Sequence, residues 1–175
     1  DGLARQGKAA DDNVQQLSFK RDGYNDEVTG IDHWNAWTPA NSNYSAVNSP
    51  VIQGYTPDKP AVEESTVNPT DKDTEITVVY SPDAQHMTIT YVDDTTHETL
   101  KQDKLDGTSD QDAKYTTGNI IKHYTDLHYK LVSDSTNGQD LIFDHDDKAD
   151  QTYEVHFIHG THTINQTTTP THAIH

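Results

Sequence analysis

Four aspartates in the last third of the chain are the clearest candidates for metal chemistry. Asp144, Asp146, Asp147 and Asp150 follow one another closely and offer carboxylate oxygens, the ligands that Ca²⁺ prefers. Their spacing is not that of an EF-hand loop, because the glycine and the terminal glutamate are absent. A solvated turn whose carboxylates cap backbone N–H groups explains the same residues. We therefore predict no cofactor, with Ca²⁺ at this turn as the candidate exception.

Three aromatic residues in the first half are candidates for sugar binding. Trp34 and Trp37 lie three residues apart, and Tyr55 follows Gly54. An aromatic ring can stack on the apolar face of a pyranose, but such rings also fill the cores of small modules. We name all three as candidate binding residues, and a core position stays open for each.

No pattern typical of catalysis occurs. The sequence has no Gly-x-Ser-x-Gly elbow, phosphate-binding loop or His-Glu-x-x-His motif. His156, His159 and His162 lie close in sequence, but His156 and His159 would point to opposite faces of a strand and so could not share a metal ion. We predict that the chain is not an enzyme.

The charge balance excludes two classes of partner. Asp and Glu number 29 against 12 Lys and Arg, which gives a formal net charge of −17. The negative electrostatic field of such a chain repels nucleic-acid phosphates and anionic lipid headgroups. No apolar run approaches the roughly 18 residues of a membrane-spanning helix. We therefore expect neither nucleic-acid binding nor membrane insertion, and the absence of cysteine excludes a disulfide scaffold.

Alternating apolar residues predict strands with one helix among them. The predicted strands are 13–21, 75–80, 87–92, 98–101, 129–132 and 153–159. A helix is predicted around Ile120 and Tyr124, and turns at Asp1-Gly2 and Asp22–Asp26. Ser81-Pro82-Asp83 predicts a module boundary, and the chain becomes Thr-rich after Gly160. This indicates an α+β, sheet-rich protein with modules at 1–82 and 83–160, followed by a segment at 161–175.

Several segments of the second half, in order, resemble the mucus-binding (Mub, MucBP-type) repeat of lactobacillus surface adhesins. They are Tyr91-Val92-Asp93-Asp94-Thr95-Thr96, Leu100, Gly107, Tyr129-Lys130-Leu131-Val132, Phe143-Asp144-His145-Asp146-Asp147 and Val155-His156-Phe157-Ile158-His159-Gly160. The first half resembles the companion module of the same repeat. Its matching segments are Phe19-Lys20-Arg21, Asp26-Glu27-Val28-Thr29-Gly30, Trp34 with Trp37, Ser49 to Asp58, and Ile76-Thr77-Val78-Val79-Tyr80. The sequence departs from the family at His97 and His128, where glycine is common.

The resemblance implies two small β-grasp (ubiquitin-like) modules arranged end to end. It also implies a non-catalytic adhesin repeat that binds host mucin glycoproteins and their glycans as part of a multi-repeat protein. That protein would be extracellular and anchored to the cell wall of a Gram-positive bacterium. The alternatives are a structural spacer and an immunoglobulin-binding module.

The resemblance carries one expectation about assembly. In the family, the companion module begins with a strand similar to Thr-x-x-Ile-His before an Asp-Gly turn, whereas here Asp1-Gly2 opens the chain and Thr171-His172-Ala173-Ile174-His175 closes it. We expect residues 171–175 to belong to the next repeat or to be donated to a first module. Donation between molecules would give a strand-exchanged homo-oligomer, since unpaired sheet edges accept added strands.

Overall fold

The computed structural model describes residues 7–175, and the chain divides into two compact units. Unit 1 ends at Ala84 and also includes His145–Asp147, and unit 2 comprises Gln85–Asp144 and Lys148–His175. The predicted turn at Asp1-Gly2 lies outside the described residues. Strands far outnumber helices, so the predicted sheet-rich character is confirmed.

The described residues of unit 1 form eight short strands. They are β1 (Gly23–Asn25), β2 (Asp32–Trp34), β3 (Ser42–Tyr44), β4 (Val47–Asn48), β5 (Tyr55–Pro57), β6 (Ala61–Val62), β7 (Ser65–Val67) and β8 (Tyr80–Pro82). These make four separate antiparallel pairs, β1 with β2, β3 with β7, β4 with β6, and β5 with β8. Val67 is the only buried apolar side chain in the described part of this unit. Unit 1 is therefore held together mainly by hydrogen bonds and half-buried side chains.

Residues 13–21 differ from the strand predicted there. The predicted alternation is present, because Leu17 and Phe19 are half-buried between exposed neighbours, but only Lys20 forms a backbone bridge, to Thr38. The side chain of Gln15 instead holds the segment in place. Its Nε2 donates to the carbonyl of Ser45 at 3.0 Å, and its Oε1 accepts from the N–H of Ser45 at 2.8 Å. A side-chain amide thus replaces a pair of backbone groups.

Two further segments of unit 1 differ from prediction. Of the strand predicted at 75–80, only Tyr80 lies in a strand. The turn predicted at Asp22–Asp26 instead contains β1. The turn-forming residues correctly indicate that the chain reverses its direction in this region. The reversal itself lies a few residues later, after β1.

Unit 2 has the predicted order of elements. Its elements are β9 (Ala84–Asp93), which begins at the last residue of unit 1, β10 (Glu98–Thr108), α1 (Gly118–Asp126), β11 (Lys130–Asp134) and β12 (Gln151–Ile158). They form one sheet in the order β10-β9-β12-β11, in which β9 and β12 are parallel neighbours and β11 is antiparallel to β12. All four predicted strands and the helix are confirmed, with longer strands than predicted. Among residues 7–175, no helix is both long enough and apolar enough to cross a lipid bilayer.

The core of unit 2 follows from alternation along the two central strands. Ile89 and Tyr91 of β9 and Val155 and Phe157 of β12 have no exposed surface. Their neighbours point to the other face, as the period of two requires. Met87, Leu141 and Phe143 complete the buried cluster, and Ile120, Ile121 and Tyr124 of α1 pack against it. The amphipathic helix therefore covers the apolar face of the sheet.

The two histidines that replace common glycines adopt backbone angles that favour glycine. His97 has φ +63° and His128 has φ +74°, in the left-handed region where a Cβ is disfavoured. Gly107 serves a different purpose, because a Cβ there would collide with the ring of Phe143. The turn geometry at both histidines is therefore retained without glycine.

Candidate functional site

The β1–β2 hairpin of unit 1 presents the most prominent exposed aromatic surface. Its loop is closed by Asp26, whose Oδ1 accepts hydrogen bonds from the N–H groups of Val28 at 2.8 Å and Thr29 at 3.2 Å. These bonds lower the pKa of Asp26, the one from Val28 most strongly. Gly30 supplies the positive φ (+74°) that the turn requires. The loop fixes the register that pairs Gly23 with Trp34.

Glycine at position 23 makes room for the indole of Trp34. A Cβ at Gly23 would lie 2.9 Å from Cε3 of Trp34 and would also collide with the carbonyl of His33. The indole therefore lies against the opposite strand, and the residue stays 55% exposed. The sequence left two alternatives open for Trp34, a binding surface and a core position. The structure places Trp34 at the surface.

Arg21 connects the two tryptophans. Its guanidinium carbon lies 4.2 Å from the ring centroid of Trp34 and 4.6 Å from that of Trp37, within the range of cation–π attraction. The backbone bridge between Lys20 and Thr38 brings Arg21 beside Trp37. No carboxylate forms an ion pair with Arg21 within residues 7–175. Its N–H groups can therefore donate to a ligand.

Polar and aromatic groups alternate across the rest of the hairpin. The rings of Tyr24 and His33 stack at 4.9 Å with an interplanar angle of 17°. On the other face, Asn25 Nδ2 donates to Asp32 Oδ1 at 2.7 Å. A shallow depression of about 130 Å³ lies between Gly23, Tyr24, Asn25, Asp32 and Trp34. This is well below the roughly 300–1,000 Å³ of drug-sized pockets, so it has space for one small ring.

We call the side chains of Arg21, Tyr24, Asn25, Asp32, His33 and Trp34 the aromatic hairpin. It offers a ring for stacking, an amide–carboxylate pair for hydroxyl groups and an arginine donor. These are the groups that fix a polar ligand with an apolar face. Prediction from sequence named only Trp34 in this set. The signal for the others was the Asp26–Gly30 loop, since a hairpin closed there places Tyr24 opposite His33.

The other predicted site residues lie elsewhere. Trp37 is half-buried against Arg21, and Tyr55 is half-buried in β5, paired with Pro82 of β8. The four aspartates of the candidate Ca²⁺ turn lie between Phe143 and β12. Among residues 7–175, no group of three or more histidine or acidic side chains is arranged to hold a metal ion. Calcium at this turn stays a prediction.

Unit 2 contains a polar network at the edge of its core. The hydroxyls of Tyr91 and Tyr115 are 2.6 Å apart, and Tyr115 also donates to Asp103 at 2.6 Å. Lys101 lies 2.8 Å from the same carboxylate. Burial raises the pKa of Tyr91 to about 12 and also raises that of Tyr115. Both phenols therefore stay neutral at physiological pH and serve as hydrogen-bonding groups.

Histidine–carboxylate contacts flank the central strands of unit 2. His156 has Nδ1 2.7 Å from Asp94 and Nε2 2.9 Å from Glu154. The bond to Asp94, followed by that to Glu154, raises the pKa of His156. His159 Nδ1 lies 2.9 Å from Asp93 Oδ2 but forms no hydrogen bond with any described residue. This second contact is therefore within ion-pair distance but lacks the geometry of a hydrogen bond.

Unit 2 is expected to lose stability as the pH rises above neutrality. His156 binds its proton more tightly in the folded state, so its contribution is complete below the unfolded pKa of about 6.5 and is lost as the pH passes the folded value. Asp93 and Asp134 act in the opposite direction. Burial opposes their ionisation, but hydrogen bonds, mainly from Thr95 to Asp93 and from Thr117 to Asp134, lower both pKa values. Stability from these aspartates is lost at acid pH, so the maximum should lie between about pH 4 and pH 6.5.

Thermal unfolding measured from acid pH to above neutrality tests this pH dependence of stability. His156→Gln should flatten the decline above neutrality. His162→Gln is the matched control, because His162 is exposed and lies outside every strand, so it removes a histidine without removing the contacts. An equal slope in the wild type and in His156→Gln would contradict the assignment.

Comparison with known families matches nearly the whole chain in two parts. Residues 3–84 match the Muc B2-like domain, and residues 85–159 match the mucin binding domain MucBP_2. No curated protein matches the chain. Both matched families are adhesin domains, and no catalytic family is indicated.

Two solved structures are similar to part of the chain. One, described as the crystal structure of Mub-RV, is 45% identical over 43% of this chain and 39% of its own, with a TM-score of 0.38. The other is a type 2 repeat of the mucus binding protein MUB from Lactobacillus reuteri. It is 38% identical over 43% of this chain and 40% of its own, with a TM-score of 0.39. The chain thus spans about two fifths of each. Residues 3–84 thus belong to the Muc B2-like domain family, and residues 85–159, which follow directly, belong to the mucin binding domain family MucBP_2.

Proposed function

We propose that this chain is a non-catalytic repeat of a cell-surface adhesin and binds mucin glycoproteins through their glycans. The two matched domain families support this proposal. The observation that carries it is the exposed indole of Trp34 beside the Asn25–Asp32 pair. A surface tryptophan next to groups that can bond hydroxyls suits a sugar ring. We propose Trp34 as the main contact, with Trp37 and Tyr55 as further candidates.

Binding by one repeat should be weak. The depression on the aromatic hairpin has space for a single ring, and the net charge of −17 repels acidic mucin at long range. Specificity must then come from stacking and short hydrogen bonds. Tandem repeats would raise the overall affinity, because the second contact forms at a high effective concentration.

We also propose the finer architecture that the family resemblance implies. The modules are residues 1–82 and 83–160, with 161–175 as a connecting segment, and both modules are of β-grasp type. The mixed sheet of unit 2, with parallel central strands and one helix over its core, supports the β-grasp arrangement there. In the described part of unit 1, the strands form only two-stranded sheets, which give no comparable support for a β-grasp fold there. The parent protein is proposed to be extracellular and attached to a bacterial cell wall.

Two alternative functions remain to be separated from mucin binding. A structural spacer would hold other domains away from the cell and bind nothing. An immunoglobulin-binding module would use an exposed strand edge, and β11 supplies one, since it pairs only with β12 and leaves Leu131 and Val132 exposed.

Surface binding assays of the purified chain can distinguish the three functions. Immobilised mucin, the same mucin after enzymatic deglycosylation, and immunoglobulin are compared at fixed salt and pH. Binding to mucin that is lost on deglycosylation supports the proposal. Binding that survives deglycosylation, or binding to immunoglobulin alone, contradicts glycan recognition. Binding to none of the three supports the spacer.

A further inference from the structure

Residues 75–79 of unit 1 form a strand-like segment that pairs with no strand among residues 7–175. The segment alternates polar and apolar residues from Glu75 to Val78, continues with a second apolar residue, Val79, and runs into β8 without a turn or bend. It has the composition of a strand, with three β-branched apolar residues. Ile76 is 57% exposed and Val79 is 53% exposed. In a sheet, such residues normally lie beside a neighbouring strand.

Among residues 7–175, hydrogen bonds are made on one side of this segment only. Val79 accepts from the N–H of Asp58 at 2.8 Å and donates to its Oδ1 at 2.9 Å, and the carbonyl of Thr77 accepts from Lys59 Nζ at 2.8 Å. Backbone groups of alternate residues point to opposite sides of a strand. Those of Ile76 and Val78 therefore face away from Asp58. They have no hydrogen-bond partner among residues 7–175.

The C-terminal segment provides a matching donor. Residues 161–175 form no strand, are exposed throughout and run without a turn or bend. Ile174 is the one large apolar residue of Thr171-His172-Ala173-Ile174-His175, and it is 84% exposed. The ten residues 161–170, when extended, reach about 33–36 Å. This is sufficient for the donor to extend well beyond its own unit.

Charge also favours this donor. The whole stretch from Val155 to His175 contains no Asp or Glu side chain, in a chain with 29 of them. It is thus the part of a second copy that acidic unit 1 repels least. The other unpaired strand-like segment, residues 13–19, is already fixed in place by Gln15 and by the Lys20–Thr38 bridge.

We propose that residues 171–175 of one molecule add as a strand to Ile76 and Val78 of unit 1 in a second molecule. Strand addition satisfies the free N–H and C=O groups on both segments and places Ile174 next to Ile76. The arrangement is reciprocal, so two molecules can exchange strands and form a closed dimer. The proposal does not depend on mucin binding.

Sedimentation of the full chain over a wide concentration range tests the proposal. The wild type should form a reversible dimer of twice the monomer mass. Ala173→Pro removes an N–H donor from the added strand and should give a monomer at the same concentrations. Thr163→Pro is the matched control, since it places proline in the same exposed segment outside the donor, and it should still dimerise.

Complementation identifies the acceptor. Ile76→Pro blocks the acceptor and should also be monomeric, with tryptophan fluorescence confirming that unit 1 is folded. A mixture of Ala173→Pro and Ile76→Pro should form a one-to-one complex, because the first retains an acceptor and the second retains a donor. Amide exchange at Ile76 and Val78 should slow in the wild-type dimer.

A wild type that is monomeric at every concentration would overturn the proposal. If the amides of Ile76 and Val78 were nevertheless protected in that monomer, the strand would come from the same chain. A dimer that persists in Ala173→Pro would place the interface elsewhere and would overturn the proposal as well.

Discussion

Replacing Phe157 by alanine is expected to lower the free energy of unfolding of unit 2 by about 3–5 kcal/mol. Phe157 is fully buried and its ring lies 5.4 Å from that of Tyr124 and 6.1 Å from that of Tyr129. Truncation removes these contacts and leaves a cavity between β12 and α1. The loss is a large fraction of the roughly 5–15 kcal/mol that holds a domain folded. Unit 2 of the variant should be partly unfolded near body temperature.

Urea denaturation followed by amide exchange in β9 and β12 measures this loss. Ile158→Ala is the matched control, because Ile158 is the next residue of the same strand but is 42% exposed. It should cost less than about 1 kcal/mol. Similar losses for the two variants would mean that the core is not organised around the inward face of β12.

Replacing Trp34 by alanine is expected to weaken mucin binding by roughly five- to thirty-fold, which corresponds to about 1–2 kcal/mol. The variant removes the stacking surface next to the Asn25–Asp32 pair and one of the two rings that hold Arg21. Trp34→Phe keeps an aromatic face and should recover part of the affinity. Titration of the chain over immobilised mucin gives the apparent Kd.

Val51→Ala is the control for this measurement. Val51 is 99% exposed in unit 1 and lies outside the aromatic hairpin, so its loss should leave binding unchanged. If Trp34→Ala bound mucin as tightly as the wild type while the chain still lost binding to deglycosylated mucin, the glycan site would lie elsewhere. The adhesin function would then still be supported, but the assignment of the glycan site to the aromatic hairpin would be wrong.

Sequence patterns predict the two central strands of unit 2 well, because the buried face of each strand follows from periodicity. Ile89 and Tyr91 alternate with polar residues, and so do Val155 and Phe157, and one buried face is enough to specify register. His97 and His128, which replace common glycines, both have positive φ, a turn geometry that the sequence alone did not specify.

Unit 1 is harder to predict because its structure does not depend on a core. The Gln15 side chain replaces strand pairing, and Gly23 makes room for Trp34, neither of which is visible in hydrophobic periodicity. Arg21 could not be assigned to the site for the same reason. Its position depends on two rings and on the Lys20–Thr38 bridge, contacts that only the folded chain defines.

The parallel pairing of β9 with β12 has a mechanical consequence. These are the first and last strands of unit 2, and they align over seven residue pairs, from Met87 with Gln151 to Asp93 with Phe157. Because they run in the same direction, the two ends of the unit leave this pair at opposite ends. A pull on both ends therefore acts along the strands and loads all of these hydrogen bonds together in shear. An antiparallel pair pulled from adjacent ends would instead open one bond at a time, at much lower force.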